Sequence, residues 1–175
     1  MITKDNNLKI MELFFKYPYG RFHIREIARL TNLSVTGVIK IINRLKKERL
    51  VISAKKANIE EVKPDFEGRF LVMKRIYNLY SLYESGLVAY LKGMFEMPKS
   101  IILFGSYSDG TDTEISDIDI AIASNKKDMP DLAKFEKKLA RKINLHVLDL
   151  GTSTKEFRNS IANGIVLEGF AELIK

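Results

Sequence analysis

The chain has 175 residues, 46% of them hydrophobic, which allows one domain or two small ones with ordinary cores. No run approaches the roughly 20 apolar residues of a membrane span, and the segment from Met1 to Asn7 has no apolar signal core. Zero cysteines exclude disulfides, thiolate nucleophiles and cysteine-ligated zinc, and two histidines cannot build a histidine-rich metal centre. A cytoplasmic protein without membrane contact is expected. The net charge of +7 is unevenly spread: residues 1–64 hold 14 Lys/Arg against 6 Asp/Glu, and residues 65–175 hold 15 against 16. All of the positive excess therefore lies in the first third, as in a segment that meets a polyanion.

In chain order, periodicity predicts a first helix from Asn7 to Tyr17, with Ile10, Leu13 and Phe14 on one stripe, ended by Pro18 and Gly20. A short helix, Arg25 to Leu30, follows with Ile27 and Leu30 inward, and His23 fills a packing or capping position. Thr31-Asn32-Leu33 is a tight turn, and Ser34 caps a third helix reaching about Glu48. On that helix Val35, Val38, Ile39, Ile42 and Leu45 form the inward stripe. Thr36, Gly37, Lys40, Asn43, Arg44 and Lys47 take the other side. Leu50 to Ser53 reads as a strand, Lys55 to Asn58 as a turn and Ile59 to Lys63 as the return strand.

Three helices and a β-hairpin make the winged helix-turn-helix arrangement, and the segment from Arg25 to Lys47 resembles its two central helices. In that family the second of these enters the major groove and the hairpin touches the DNA backbone. Ser34, Thr36, Lys40 and Asn43 are candidates for base edges or phosphates. Arg44, Lys47, Lys55 and Lys56 are candidates for phosphates, which supply affinity without sequence choice. Double-stranded DNA is the partner implied.

Asp65 to Gly68 marks a boundary. A helix is expected from Phe70, with Met73, Tyr77, Tyr80 and Tyr83 as a core or dimer stripe, ended by Ser85-Gly86. A second helix runs from Leu87 to Phe95, before Pro98. The domains read as 1–64, a helical linker 65–97, and 98–175.

Ile101 to Phe104 reads as a buried strand that stops at Gly105-Ser106. After a polar turn, Ser116-Asp117-Ile118-Asp119 runs into a second buried strand, Ile120 to Ala123. Residues i and i+2 of a strand share a face, so Asp117 and Asp119 present two carboxylates side by side while Ile118 and Ile120 face the core. Such a pair, together with phosphate oxygens, is how Mg²⁺ is usually held. Gly105 permits close backbone approach to a phosphate, and the Ser106 hydroxyl and turn amides can donate to it. A Mg²⁺-bridged nucleoside triphosphate fits between the two strand ends.

The run from Phe104-Gly105-Ser106 to Ser116-Asp117-Ile118-Asp119 resembles the signature of DNA polymerase β-type nucleotidyltransferases in their minimal form. That group includes kanamycin-type aminoglycoside nucleotidyltransferases and small prokaryotic proteins paired with HEPN toxins. The resemblance covers about Lys99 to Leu150. The whole chain is similar to an archaeal subgroup with an N-terminal winged helix, in Phe22-His23-Ile24-Arg25-Glu26, Glu156-Phe157 and Gly164 to Gly169. By resemblance, Gly105, Ser106 and Ser116 bind the nucleotide and Asp117 and Asp119 bind the metal. The third catalytic position falls on Asn144, in Lys142-Ile143-Asn144-Leu145, where the family has a carboxylate. A helix from Pro130 to Lys142 precedes it. An amide cannot accept a proton at pH 7, although its carbonyl can ligate a metal. His146 shares the face of Asn144 by parity, and Asp149 reads as a strand-end residue.

The expected architecture is α/β (α+β): a winged helix-turn-helix, a helical linker and a mixed-sheet nucleotidyltransferase-type domain. The expected function is a DNA-binding protein whose second domain binds Mg-nucleotide and transfers a nucleotidyl group to an unknown acceptor. Two alternatives stand beside it. One is a transcriptional regulator with an inactive nucleotide-sensing or dimerisation domain. The other is a toxin-neutralising nucleotidyltransferase with a HEPN-type partner.

Overall fold

The computed structural model describes residues 5–56, 59–126, 129–148 and 155–170, with only the backbone of Lys55, Lys56 and Ile59. The expected turn at Ala57-Asn58, and Asp149, lie outside the described residues. Helices come first and a mixed sheet follows. Internal contacts divide the chain into two units, Met1–Lys74 and Arg75–Lys175. No helix among the described residues is long and apolar enough to cross a membrane.

The first unit contains α1 (Asn6–Lys16), β1 (Phe22–His23), α2 (Ile24–Thr31), α3 (Val35–Lys47), β2 (Val51–Lys56) and β3 (Ile59–Pro64). Its three strands form an antiparallel sheet in the order β1-β3-β2. Local chemistry sets the helix starts. Asp5 accepts the Leu8 amide at 2.8 Å at the head of α1, and that bond holds its carboxyl below the usual carboxylate range. Ser34 accepts the Gly37 amide at 3.1 Å at the head of α3. Asn32, with φ 53, supplies the left-handed residue that closes α2. The core joins Ile10, Met11, Phe14 and Phe15 of α1 to Ile27, Val38, Ile42 and Leu45, closed by Leu50, Val51 and Val62.

Several expectations need correction here. Leu30 on α2 and Val35 and Ile39 on α3 are exposed, not inward; α3 buries only the i, i+4, i+7 row of Val38, Ile42 and Leu45. Phe22–His23 pairs with Val62 and Glu61 as a two-residue strand, too short for a period to show. Lys55 and Lys56 continue β2 instead of turning.

The second unit begins within α4 (Phe70–Ser85). It continues through α5 (Leu87–Met94), β4 (Ser100–Phe104), α6 (Ser106–Asp109), β5 (Ile118–Ala123), α7 (Ala133–Leu139), β6 (Ile143–Val147), α8 (Lys155–Ala162) and β7 (Ile165–Gly169). The aromatic stripe foreseen on α4 is not its buried face: Lys74, Asn78, Leu82 and Ser85 are buried, and Tyr83 is half exposed. The segment from Pro130 to Lys142 is helical only over Ala133–Leu139, since Ala140 turns left-handed at φ 52.

The sheet order is β6-β5-β4-β7. β5 and β6 are parallel, and β4 is antiparallel to both β5 and β7. One face carries Ile101, Leu103, Ile118, Ile120 and Ile122 against Leu82, Leu87, Leu91 and Phe135. The other carries Ile102, Phe104 and Ala121 against Ile161 and Phe157 of α8. With both faces covered, the central strands read as continuous apolar runs. At the end where β4 stops and β5 begins, the connecting loop exposes Asp109, Thr111, Glu114 and Ile115 and buries Tyr107, Ser108 and Asp112.

Candidate functional site

β4 ends at Gly105, where the backbone takes φ 72 and ψ −165. Only glycine enters that region without strain. A Cβ here would lie 2.8 Å from the Asp119 carboxylate, so the glycine also makes room for an acid. The next residues coil into the four-residue α6. The Ser108 hydroxyl donates to the Gly105 carbonyl at 2.7 Å, and the Thr111 amide donates to the Ser106 carbonyl at 3.1 Å. Both bonds hold the Gly105-Ser106 turn from behind. The Ser106 hydroxyl makes no hydrogen bond among the described residues.

Phe104 is in register with Asp119, and Asp119 with Asn144 on β6. Ile118 and Ile120 point into the core and leave Asp117 and Asp119 half-buried on the other side. The two carboxylates converge on one group: the Asn144 amide donates to Asp117 Oδ2 at 3.2 Å and to Asp119 Oδ1 at 3.1 Å. Paired carboxylates repel unless positive charge or a shared donor lies between them, and Asn144 supplies the donor. Among the described residues no group of three or more His, Asp or Glu gathers to hold an ion. The oxygen donors present are the two acids and, if its amide turns over, the Asn144 carbonyl. Those are donors that a hard cation accepts.

Ser116 is placed differently from Ser106. Its hydroxyl accepts the Thr113 amide at 3.0 Å and lies 3.2 Å from the Thr113 hydroxyl, closing the turn ahead of Asp117. His146 is half-buried, with its ring 5.5 Å from Phe104 and 5.3 Å from Phe157. An open groove of about 480 Å³ borders Asp117, with Glu114, Ile115, Glu136 and Lys142 along it.

Behind the loop lies a polar network that sequence reasoning missed. Asp112 is 1% exposed. It accepts from the Asn78 amide at 2.7 Å and faces Arg141 at 3.8 Å. The same Asn78 amide donates to the Tyr107 carbonyl at 2.9 Å, and the Tyr107 hydroxyl meets the Ser81 hydroxyl at 2.9 Å. Burial pushes the Tyr107 hydroxyl up to about 12. One signal for this network was legible. Asn78 sits between Lys74 and Leu82 at i, i+4 spacing, and a polar side chain on a buried row needs a partner. Asp112 itself gave none, being one polar residue of a polar loop.

In the first unit, Ser34, Thr36, Lys40, Asn43, Arg44 and Lys47 are all exposed along α3. Lys46 is not part of that face: its ammonium donates to the Ser53 hydroxyl at 2.6 Å and lies 3.4 Å from Glu60. The side chains of Lys55 and Lys56 lie outside the described residues.

No curated protein and no solved structure matches the chain. A family model does. Residues 87–169, just under half of the chain, match the family described as Polymerase beta, Nucleotidyltransferase. The match begins with α5 and ends with β7, so it takes in the whole four-stranded sheet, the Gly105 turn and both aspartates. Over those residues the second unit is similar to a nucleotidyltransferase-type domain.

Proposed function

We propose that the second unit binds a Mg²⁺-nucleotide at the Gly105-Ser106 turn and the Asp117/Asp119 pair, and that the first unit is a winged helix that binds duplex DNA. The observation that carries the nucleotide reading is the convergence of the two carboxylates on one point beside a glycine whose missing Cβ leaves space for Asp119. Asp117 and Asp119 would hold the ion, and the Ser106 hydroxyl would donate to a phosphate oxygen. The bound ion would supply charge neutralisation at the phosphates. Transfer would join an acceptor hydroxyl oxygen to the α-phosphorus as the bond to pyrophosphate breaks, with the hydroxyl proton passing to water. With those ligands the protein would act in the cytoplasm.

Asn144 favours a second reading, a regulator that senses the nucleotide. It stands in register with Asp119 and offers an amide where a general base would need a carboxylate. A side chain that donates to both acids takes no proton from an attacking hydroxyl.

Calorimetry with Mg²⁺ and nucleoside triphosphates tests the site. The natural chain binds with Mg²⁺ and not in chelator, and Asp117→Asn loses that binding. Equal affinity for Asp117→Asn overturns the site. Pyrophosphate release then separates the two readings. Slow release by the natural chain, raised about 10²-fold or more by Asn144→Asp, fits a site that lacks its base. Fast release that survives Asn144→Ala removes the sensor reading.

A further inference from the structure

The outward face of α3 carries two side chains that its charge does not explain. Val35 is 42% exposed and Ile39 is 44% exposed, one turn apart on the same side of the helix. Isolated apolar residues on a surface need no explanation. Val72 and Ile76 on α4 are exposed in the same way, and what sets the α3 pair apart is a helix with cations and no acid. Both are β-branched, which lowers helix propensity, and neither gains core burial in return. They flank Thr36, Lys40 and Asn43. The thirteen residues of α3 include Lys40, Arg44, Lys46 and Lys47 and no acid.

We propose that Val35 and Ile39 read thymine: their methyl groups pack against the 5-methyl groups of thymines in the major groove, while the neighbouring cations hold the phosphates. The inference rests on the DNA-binding reading of the first unit. Two features of the side chains suit them to it. A thymine methyl offers an apolar contact that no other base presents in the major groove. A β-branched side chain in a helix keeps one χ1 rotamer, so its methyls are held in place before contact. The charge of the helix selects this occupant over a second copy of the chain, because two α3 faces brought together would set Lys40, Arg44 and Lys47 against their own kind.

The test uses the full chain and duplexes enriched by repeated selection from a random pool. Single thymines in the enriched site are replaced by deoxyuridine, which removes the methyl and keeps the pairing. At one or two positions the natural chain should lose about fourfold in affinity, the worth of one buried methyl group. Ile39→Ala or Val35→Ala should bind the thymine duplex about fourfold more weakly and show no further loss with deoxyuridine at the position that the lost side chain contacts. Natural-chain binding that is indifferent to every thymine methyl overturns the inference and leaves DNA binding standing. So does undiminished discrimination in both alanine variants. Sedimentation showing a dimer that Ile39→Asp dissociates also overturns it, by making the face a contact between copies. No binding to any duplex at low salt fails the DNA reading itself.

Discussion

At Gly105 two demands fall on one residue. Its φ of 72 with ψ −165 is a conformation that costs other residues on the order of 1–3 kcal/mol. A methyl there would also press on the Asp119 carboxylate from 2.8 Å. Gly105→Ala should therefore lower unfolding free energy by about 1–3 kcal/mol in urea titration. An unchanged urea midpoint would mean that the turn relaxes freely. Asn144 was legible in the sequence as the amide at the expected third position. What it does there was not. Spacing can put a residue in register, but only geometry shows one amide donating to Asp117 and Asp119 together. Ser116, grouped with the nucleotide-binding residues on the strength of the motif, spends its hydroxyl on Thr113.

Among the elements, the helices and strands with strong periods were legible, and each error has its own origin. The apolar residues of α3 form a stripe wide enough to include Val35 and Ile39, but a helix resting on one small core buries a single row. On α4 the buried row includes Lys74, Asn78 and Ser85, so apolar periodicity pointed to the wrong side. β1 escaped because two residues have no period. The loop from Gly105 to Asp117 read as an open polar turn, whereas Asn78, Ser81 and Arg141 grip it from behind. That grip gives the second unit a signature at high pH. An unfolded tyrosine ionises near 10, and burial raises Tyr107 to about 12 in the folded chain. The folded state thus holds the proton more tightly. This contribution is complete below pH 10 and is lost as the pH climbs from 10 towards 12. Urea midpoints measured across that window should fall for the natural chain and fall less steeply for Tyr107→Phe. Equal slopes would put the hydroxyl in water.

For the molecule as a whole, charge is the clearest trait of the sequence, with all of the positive excess in residues 1–64. If about five phosphates are neutralised, affinity for duplex DNA should fall with a log–log salt slope near −4 to −5. Lys40→Ala and Arg44→Ala, both on the exposed side of α3, should each flatten that slope by about one. Equal affinity in roughly 50 and 300 mM salt would remove the polyanion reading. The Asn144 bridge has its own consequence at this scale. Some small metal-binding domains cannot fold until an ion arrives, so that metal binding and folding are one event. Here the amide already reconciles Asp117 with Asp119. An arriving cation would displace a hydrogen-bond donor from a finished fold. The fold would then not wait for the cation, whose concentration would set occupancy and add only the stability that its own binding supplies.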